Sequence, residues 1–232
     1  MTCLSRTFAA AVLVAGCAIA ARAADVPVVV ELYTSQGCNS CPSADEVLTD
    51  LAKRDDVIAL AMHVDYWDYI GWKDTFADPQ FSDRQRGYAT AGNRRVVYTP
   101  QMIFNGREHI EGASASKILS ALGESRLTDA PEVSLRRQGD RLSIRVPATR
   151  LQEPVKVQLF RFEPTATVKI LRGENRGRTI TYSNVVTEWD ILDTWDGKSA
   201  LNLAAKAPGD EGIAVVLQYP GPGEVVSAAQ IR

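Results

Sequence analysis

Hydrophobic positions along the chain fall into two regimes. From Val26 to Tyr33 apolar and β-branched residues run together, broken only by Glu31, which marks a strand buried on both faces and running parallel to a neighbour. Ala44, Val47, Leu48 and Leu51 then recur at helical spacing, with Pro42 in the first turn, where a missing N–H loses no partner. Val57 to Val64 is a second buried strand. Tyr66 to Phe81 mixes aromatics and acids without a period and reads as an inserted loop with a short helix. Asp78-Pro79 is an N-cap followed by proline at the first helical position, opening a helix to about Ala91. Val96 to Phe104, interrupted at Pro100, leads into Asn105-Gly106, a pair that tolerates the positive φ angles of a tight hairpin. Gly112 precedes a last helix, Ser114 to Leu122. Strands and helices in this order specify a layered α/β domain ending near Arg126.

After Asp129-Ala130-Pro131 the period becomes two: Val133 and Leu135; Leu142, Ile144 and Val146; Val155, Val157 and Leu159. Gly139-Asp140, Glu163-Pro164, Gly197-Lys198 and Gly221-Pro222 punctuate these segments. The pattern predicts a smaller antiparallel, sandwich-like domain over residues 129–232, behind an α/β domain over 24–128.

Residues 1–23 do not fit either regime. A short start with Arg6, the 14-residue apolar run Phe8–Ala21 and the small-x-small triplet Ala21-Arg22-Ala23 read as a signal peptide cut after Ala23. The run is shorter than the roughly 20 residues of a spanning helix. Val14-Ala15-Gly16-Cys17 resembles a lipoprotein box, which would instead leave a lipid anchor on Cys17. Cleavage after Ala23 removes Arg6 and Arg22 from 26 Lys+Arg and none of 28 Asp+Glu, taking the net charge from −2 to −4. That balance excludes nucleic-acid binding driven by bulk basicity. The expected setting is the periplasm or the medium.

Cleavage also removes Cys3 and Cys17, leaving Cys38 and Cys41 alone. In an oxidising compartment a lone close pair is a disulfide or a reactive dithiol. The pair stands where the first strand gives way to a helix, whose N-terminal N–H groups favour a thiolate. Cys38 is then the nucleophile and Cys41 the thiol that resolves the mixed disulfide. Three other readings compete. A structural disulfide across two residues closes too short a loop to contribute much stability. Zinc needs more ligands than two thiolates, with only His63 and His109 in reserve. Two-coordinate Cu(I) suits two soft thiolates unaided.

Val30 to Cys41 resembles the redox strand and turn of thioredoxins and glutaredoxins. Val97 to Gly106 is similar to their cis-proline loop and hairpin, and Glu111-Gly112-Ala113 to the glycine before their last helix. His63-Val64-Asp65-Tyr66-Trp67-Asp68 and Arg172-Gly173-Glu174-Asn175-Arg176-Gly177-Arg178 resemble a family of exported bacterial proteins of unassigned function with a thioredoxin-like domain. The resemblance implies a thioredoxin-like domain in which Pro100 is cis beside the cysteines and Thr99 offers its backbone to a substrate strand. It also implies a buried acid that takes the resolving thiol's proton; Glu31 is the nearest candidate, unless an Arg or Lys pairs it. The sequence departs from thioredoxin in having Gln36-Gly37 before Cys38 and Asn39-Ser40 between the cysteines, so no redox poise carries over.

His63 and Asp65 end the second strand on the side of the cysteines, which places them at a site rim with Trp67 and Trp72 as an apolar landing surface. Arg172, Arg176 and Arg178 either lace the two domains together, stay solvated, or hold an acidic partner. The expected function is an exported thiol-disulfide oxidoreductase without cofactor, acting on a thiol- or disulfide-bearing partner in the cell envelope. A Cu(I) carrier and a scaffold with an inert disulfide are the alternatives.

Overall fold

Strand β1 (Val28–Thr34) alternates its side chains between two apolar layers. The structure, a computed structural model, describes residues 26–232; the expected signal peptide and Cys17 lie outside them. Val28, Val30 and Leu32 pack with helices α1 (Pro42–Leu51) and α3 (Ala115–Glu124), while Val29 and Tyr33 face helix α2 (Pro79–Ala91). Strand β2 (Val57–His63) runs parallel to β1 in unbroken register, from Val28 opposite Val57 to Thr34 opposite His63. On the other side of β1, β3 (Gln101–Phe104) and β4 (Glu108–Glu111) form an antiparallel hairpin. Its turn residues Asn105 and Gly106 have φ of 44° and 71°, the positive pair that Asn-Gly accommodates. Asp78 caps α2 by accepting from the Gln80 N–H at 2.8 Å, with Pro79 behind it.

The second half is β-rich, as the alternation indicates, but it is not a sandwich apart. Strands β7 (Val155–Lys169), β8 (Thr179–Trp195), β10 (Gly212–Gln218) and β11 (Val225–Ile231) extend the first sheet into one of eight strands, ordered β11-β10-β7-β8-β2-β1-β3-β4. Only β5 (Ser134–Gln138), β6 (Arg141–Val146) and β9 (Leu201–Lys206) form a second, antiparallel sheet. It packs on the far strands of the first sheet through Leu142, Ile144, Val157, Leu159, Val215 and Leu217. The join is β8 beside β2, with Val185 opposite Ala61 and the Asn184 side chain donating to the Ala59 carbonyl at 2.9 Å. An edge strand with unpaired backbone groups is a template for another strand, and here the chain supplies its own. Among the described residues no helix is long and apolar enough to cross a membrane.

Candidate functional site

Cys38 and Cys41 are joined by a disulfide with Cα atoms 5.4 Å apart. The helix that follows the pair, α1, starts where Pro42 implies. Pro42 is its first residue and Cys41 its N-cap, so the helix terminus bears directly on Cys41, while Cys38 sits in the preceding turn. What distinguishes Cys38 is Ser40, whose hydroxyl lies 3.4 Å from the Cys38 sulfur, a hydrogen bond that favours a thiolate there. Both cysteines have 0% exposure.

Two segments do the covering. Trp67 and Ile70 close on Gly37, where any Cβ would stand 3.1 Å from Ile70, and Trp72 Nε1 donates to Gln36 Oε1 at 2.8 Å. From the second half, residues 170–178 place buried Asn175 over the same loop: its Nδ2 donates to the Gln36 carbonyl at 3.0 Å and the Cys38 carbonyl at 2.8 Å. Trp67 Nε1 also donates to Thr99 Oγ1 at 2.7 Å, tying the aromatic loop to the cis Thr99–Pro100 peptide. Trp67 and Thr99, both half-buried, are therefore brought together, and Pro100 is buried behind them.

Neither of the expected rim residues is exposed. His63 is fully buried, with Nδ1 2.8 Å from Asp74 Oδ2 and its ring edge-on to Phe76 and Tyr182. Asp65 is tied to α2, receiving the Ser82 hydroxyl and donating its own N–H to it. Glu31 points to the opposite layer. Arg84 of α2 grips it through Nε and Nη2, both at 2.7 Å, and Tyr33 and Tyr88 each donate a hydroxyl at 2.8 Å. Burial pushes the Glu31 pKa up, but the charge and hydrogen bonds of Arg84 outweigh it and hold the carboxyl below its ordinary range. Glu31 is thus a structural anion paired with arginine, because a strand turns odd and even residues to opposite faces and α1 covers the even one. A cavity of about 460 Å³ on Arg84's side, lined by Trp189, Ile191 and Pro222, shares no residue with the disulfide site.

Two buried acids lie on the disulfide's side, Asp74, which accepts the Gln36 N–H at 2.7 Å, and Asp45. Asp45 lies four residues after Cys41 on α1, so the two side chains share one helical face. Oδ1 accepts from Thr34 Oγ1 at 2.8 Å, whereas Oδ2 is buried without a partner. His63 Nε2 and the Tyr182 hydroxyl are likewise buried and unpartnered. Burial raises the Asp45 pKa to about 7 against the opposing charge of His63 and the bond from Thr34. Burial also pushes Asp74 up, but His63 and the N–H groups of Gln36 and Phe76 prevail and leave it lowered. Burial, with Asp45 and Asp74 near, raises the Tyr182 hydroxyl. Asp45, Asp74, Asn175, Ser40 and Tyr182 were not singled out in the sequence. Only Asp45 left a signal there: with Cys41, Ala44, Leu48 and Leu51 it continues the apolar stripe of α1, where a solvated acid does not belong.

Two solved structures are similar to this chain. The crystal structure of a protein from Agrobacterium tumefaciens is similar over 90% of this chain and 96% of its own, with 34% identity and a TM-score of 0.77. HBP35 of Porphyromonas gingivalis shares the fold at 17% identity, with a TM-score of 0.59 over 89% of this chain and 75% of that one. No curated protein matches the chain. The model of a family described as proteins of unknown function, DUF1223, matches residues 29–218, from the first strand to β10 and including both segments that cover the disulfide, and the chain belongs to that family.

Proposed function

We propose that the chain is an exported thiol-disulfide oxidoreductase with a thioredoxin-like unit over residues 24–128. The strand order β2-β1-β3-β4, with β1 and β2 parallel and the hairpin antiparallel, supports that fold. The observation that carries the activity is the Cys38–Cys41 disulfide at the head of α1 with Asp45, whose Oδ2 is buried and unpartnered, one turn behind. A partner thiolate attacks the Cys38 sulfur, the S–S bond breaks, and its electron pair leaves on Cys41. Asp45, protonated below a pH of about 7, hands its proton to that sulfur. A second partner thiolate then attacks the partner sulfur of the mixed disulfide and frees Cys38 as a thiolate, leaving the pair reduced and the partner oxidised; in the opposite direction Asp45 takes the Cys41 proton, and the Cys41 thiolate attacks Cys38 in the mixed disulfide and expels the partner.

Thiol-disulfide exchange predicts an equilibrium potential between about −270 and −120 mV in a glutathione redox titration. It also predicts that a Cys41→Ser variant traps partners on Cys38. A second reading, a scaffold with an inert disulfide, is favoured by the 0% exposure of both cysteines. A potential below about −300 mV, with no partner trapped, decides for it.

A further inference from the structure

Strands β7 and β8 form a long antiparallel arm that passes over α1, where Ser183 Oγ donates to Thr49 Oγ1 at 3.1 Å. Its tip, residues 170–178, is held by backbone bonds: Ile170 N–H to the Arg178 carbonyl at 2.9 Å, Gly177 N–H to the Ile170 carbonyl at 2.8 Å, and Arg178 N–H to the Asn175 carbonyl at 3.1 Å. Ile170 and Asn175 are buried, and Gly173, at φ 74°, packs against the Trp72 side chain. The tip is a fixed body at the lip of the disulfide.

Its outward face is cationic. Lys169, Arg172, Arg176 and Arg178 are exposed, with Glu174 the single acid among them. Among the described residues none of the three arginines has an ion pair or a side-chain hydrogen bond. The structure therefore does not spend them on joining the two halves. They stand out in a chain whose net charge is −2. Beside them are two large exposed apolar side chains, Leu171 on the tip at 58% and Tyr69 on the aromatic loop that covers Gly37 at 82%.

We propose that the arm tip is the docking surface for the partner protein, and that it selects partners whose reactive cysteine lies among Asp and Glu residues with an apolar side chain close by. This rests on the thiol-disulfide reading and gives it a substrate class. Arginine forks hold carboxylates in paired hydrogen bonds, a geometry that lysine does not reproduce. At physiological salt charges act over about 8 Å, so the tip attracts acids presented beside the disulfide.

Two short disulfide peptides test this, one with Asp and Glu flanking the cysteines and one with Lys, alongside the neutral hydroxyethyl disulfide. The full chain, first reduced with dithiothreitol and freed of it, should at low salt reduce the acidic peptide with a second-order rate constant about tenfold or more higher, the advantage shrinking at high salt. The variant Arg172→Gln, Arg176→Gln, Arg178→Gln should lose that preference and keep its rate with hydroxyethyl disulfide. Equal rates for the two peptides, or a preference that survives in the variant, overturn the proposal. Anisotropy of a labelled acidic peptide with Ser in place of Cys reads docking without chemistry. Binding that weakens about tenfold in the variant upholds the surface even if hydroxyethyl disulfide fails to react, a failure that would count against the redox reading instead. Equal binding to both proteins sinks the surface.

Discussion

Replacing Asp45 by Asn removes one ionisable proton and little else, because the amide oxygen still accepts from Thr34 Oγ1. In the folded chain burial lifts this carboxyl from its ordinary 3.8 to about 7. Across that interval the folded chain keeps a proton that the unfolded chain has released. The stability tied to Asp45 is therefore complete below a pH of about 4, falls as pH rises, and levels off above about 7. Integrated from about pH 5 to about pH 8, the loss comes to about 2–3 kcal/mol. The Asp45→Asn variant carries none of that slope. Guanidinium unfolding of both oxidised proteins near each pH measures it, and the variant should gain about 2–3 kcal/mol on wild type between the two. The reduction rate with dithiothreitol should also lose its inflection near neutral pH, since no carboxyl is left to protonate Cys41. A stability difference that is the same at both pH values would refute the argument: Asp45 would then be ionised throughout and no proton store.

Glu31→Gln should destabilise the fold by about 3–5 kcal/mol in urea unfolding, because it strands the buried Arg84 charge. The same variant should leave the redox potential of the cysteine pair unchanged, and a shifted potential would return Glu31 to the proton chemistry. Asn175→Ala removes two hydrogen bonds to the cysteine loop, so stability should fall by about 1–3 kcal/mol and dithiothreitol should reduce the disulfide several-fold faster. An unchanged rate would mean that access is set by Trp67 and Ile70 alone. Gly106→Ala puts a Cβ into the Gly223 carbonyl at a φ of 71°, and a melting curve should register a loss of about 1–3 kcal/mol.

Features written in neighbouring residues were legible in the sequence. Asp78-Pro79, Asn105-Gly106 and the Cys-x-x-Cys each state their geometry within four residues, and all three stand where that reading places them. Partnerships across long separations were not. Glu31 meets Arg84 and two tyrosines only after β1 turns odd residues toward α2, and nothing near Glu31 names that arginine. His63 looked exposed because it ends a strand beside aromatics, yet Phe76 and Tyr182 enclose it. The second half was legible as strands but not as an extension of the first sheet, since one ladder position, Ala61 with Val185, makes the join. The arm tip announced its arginines, while the residue that anchors it, Asn175, is a small amide among louder neighbours.

That single join between β2 and β8 constrains how such a protein can be inherited. A gene fragment ending near residue 128 encodes a sheet whose outer strand lacks its neighbour and whose apolar layer lacks Phe160, Phe162 and Val186. It also lacks the loop that carries Asn175. The two halves therefore cannot be exchanged among lineages like beads on a string. A change at the arm tip has to be tolerated by the cysteine loop it rests on, so substitutions in the two segments are constrained by each other.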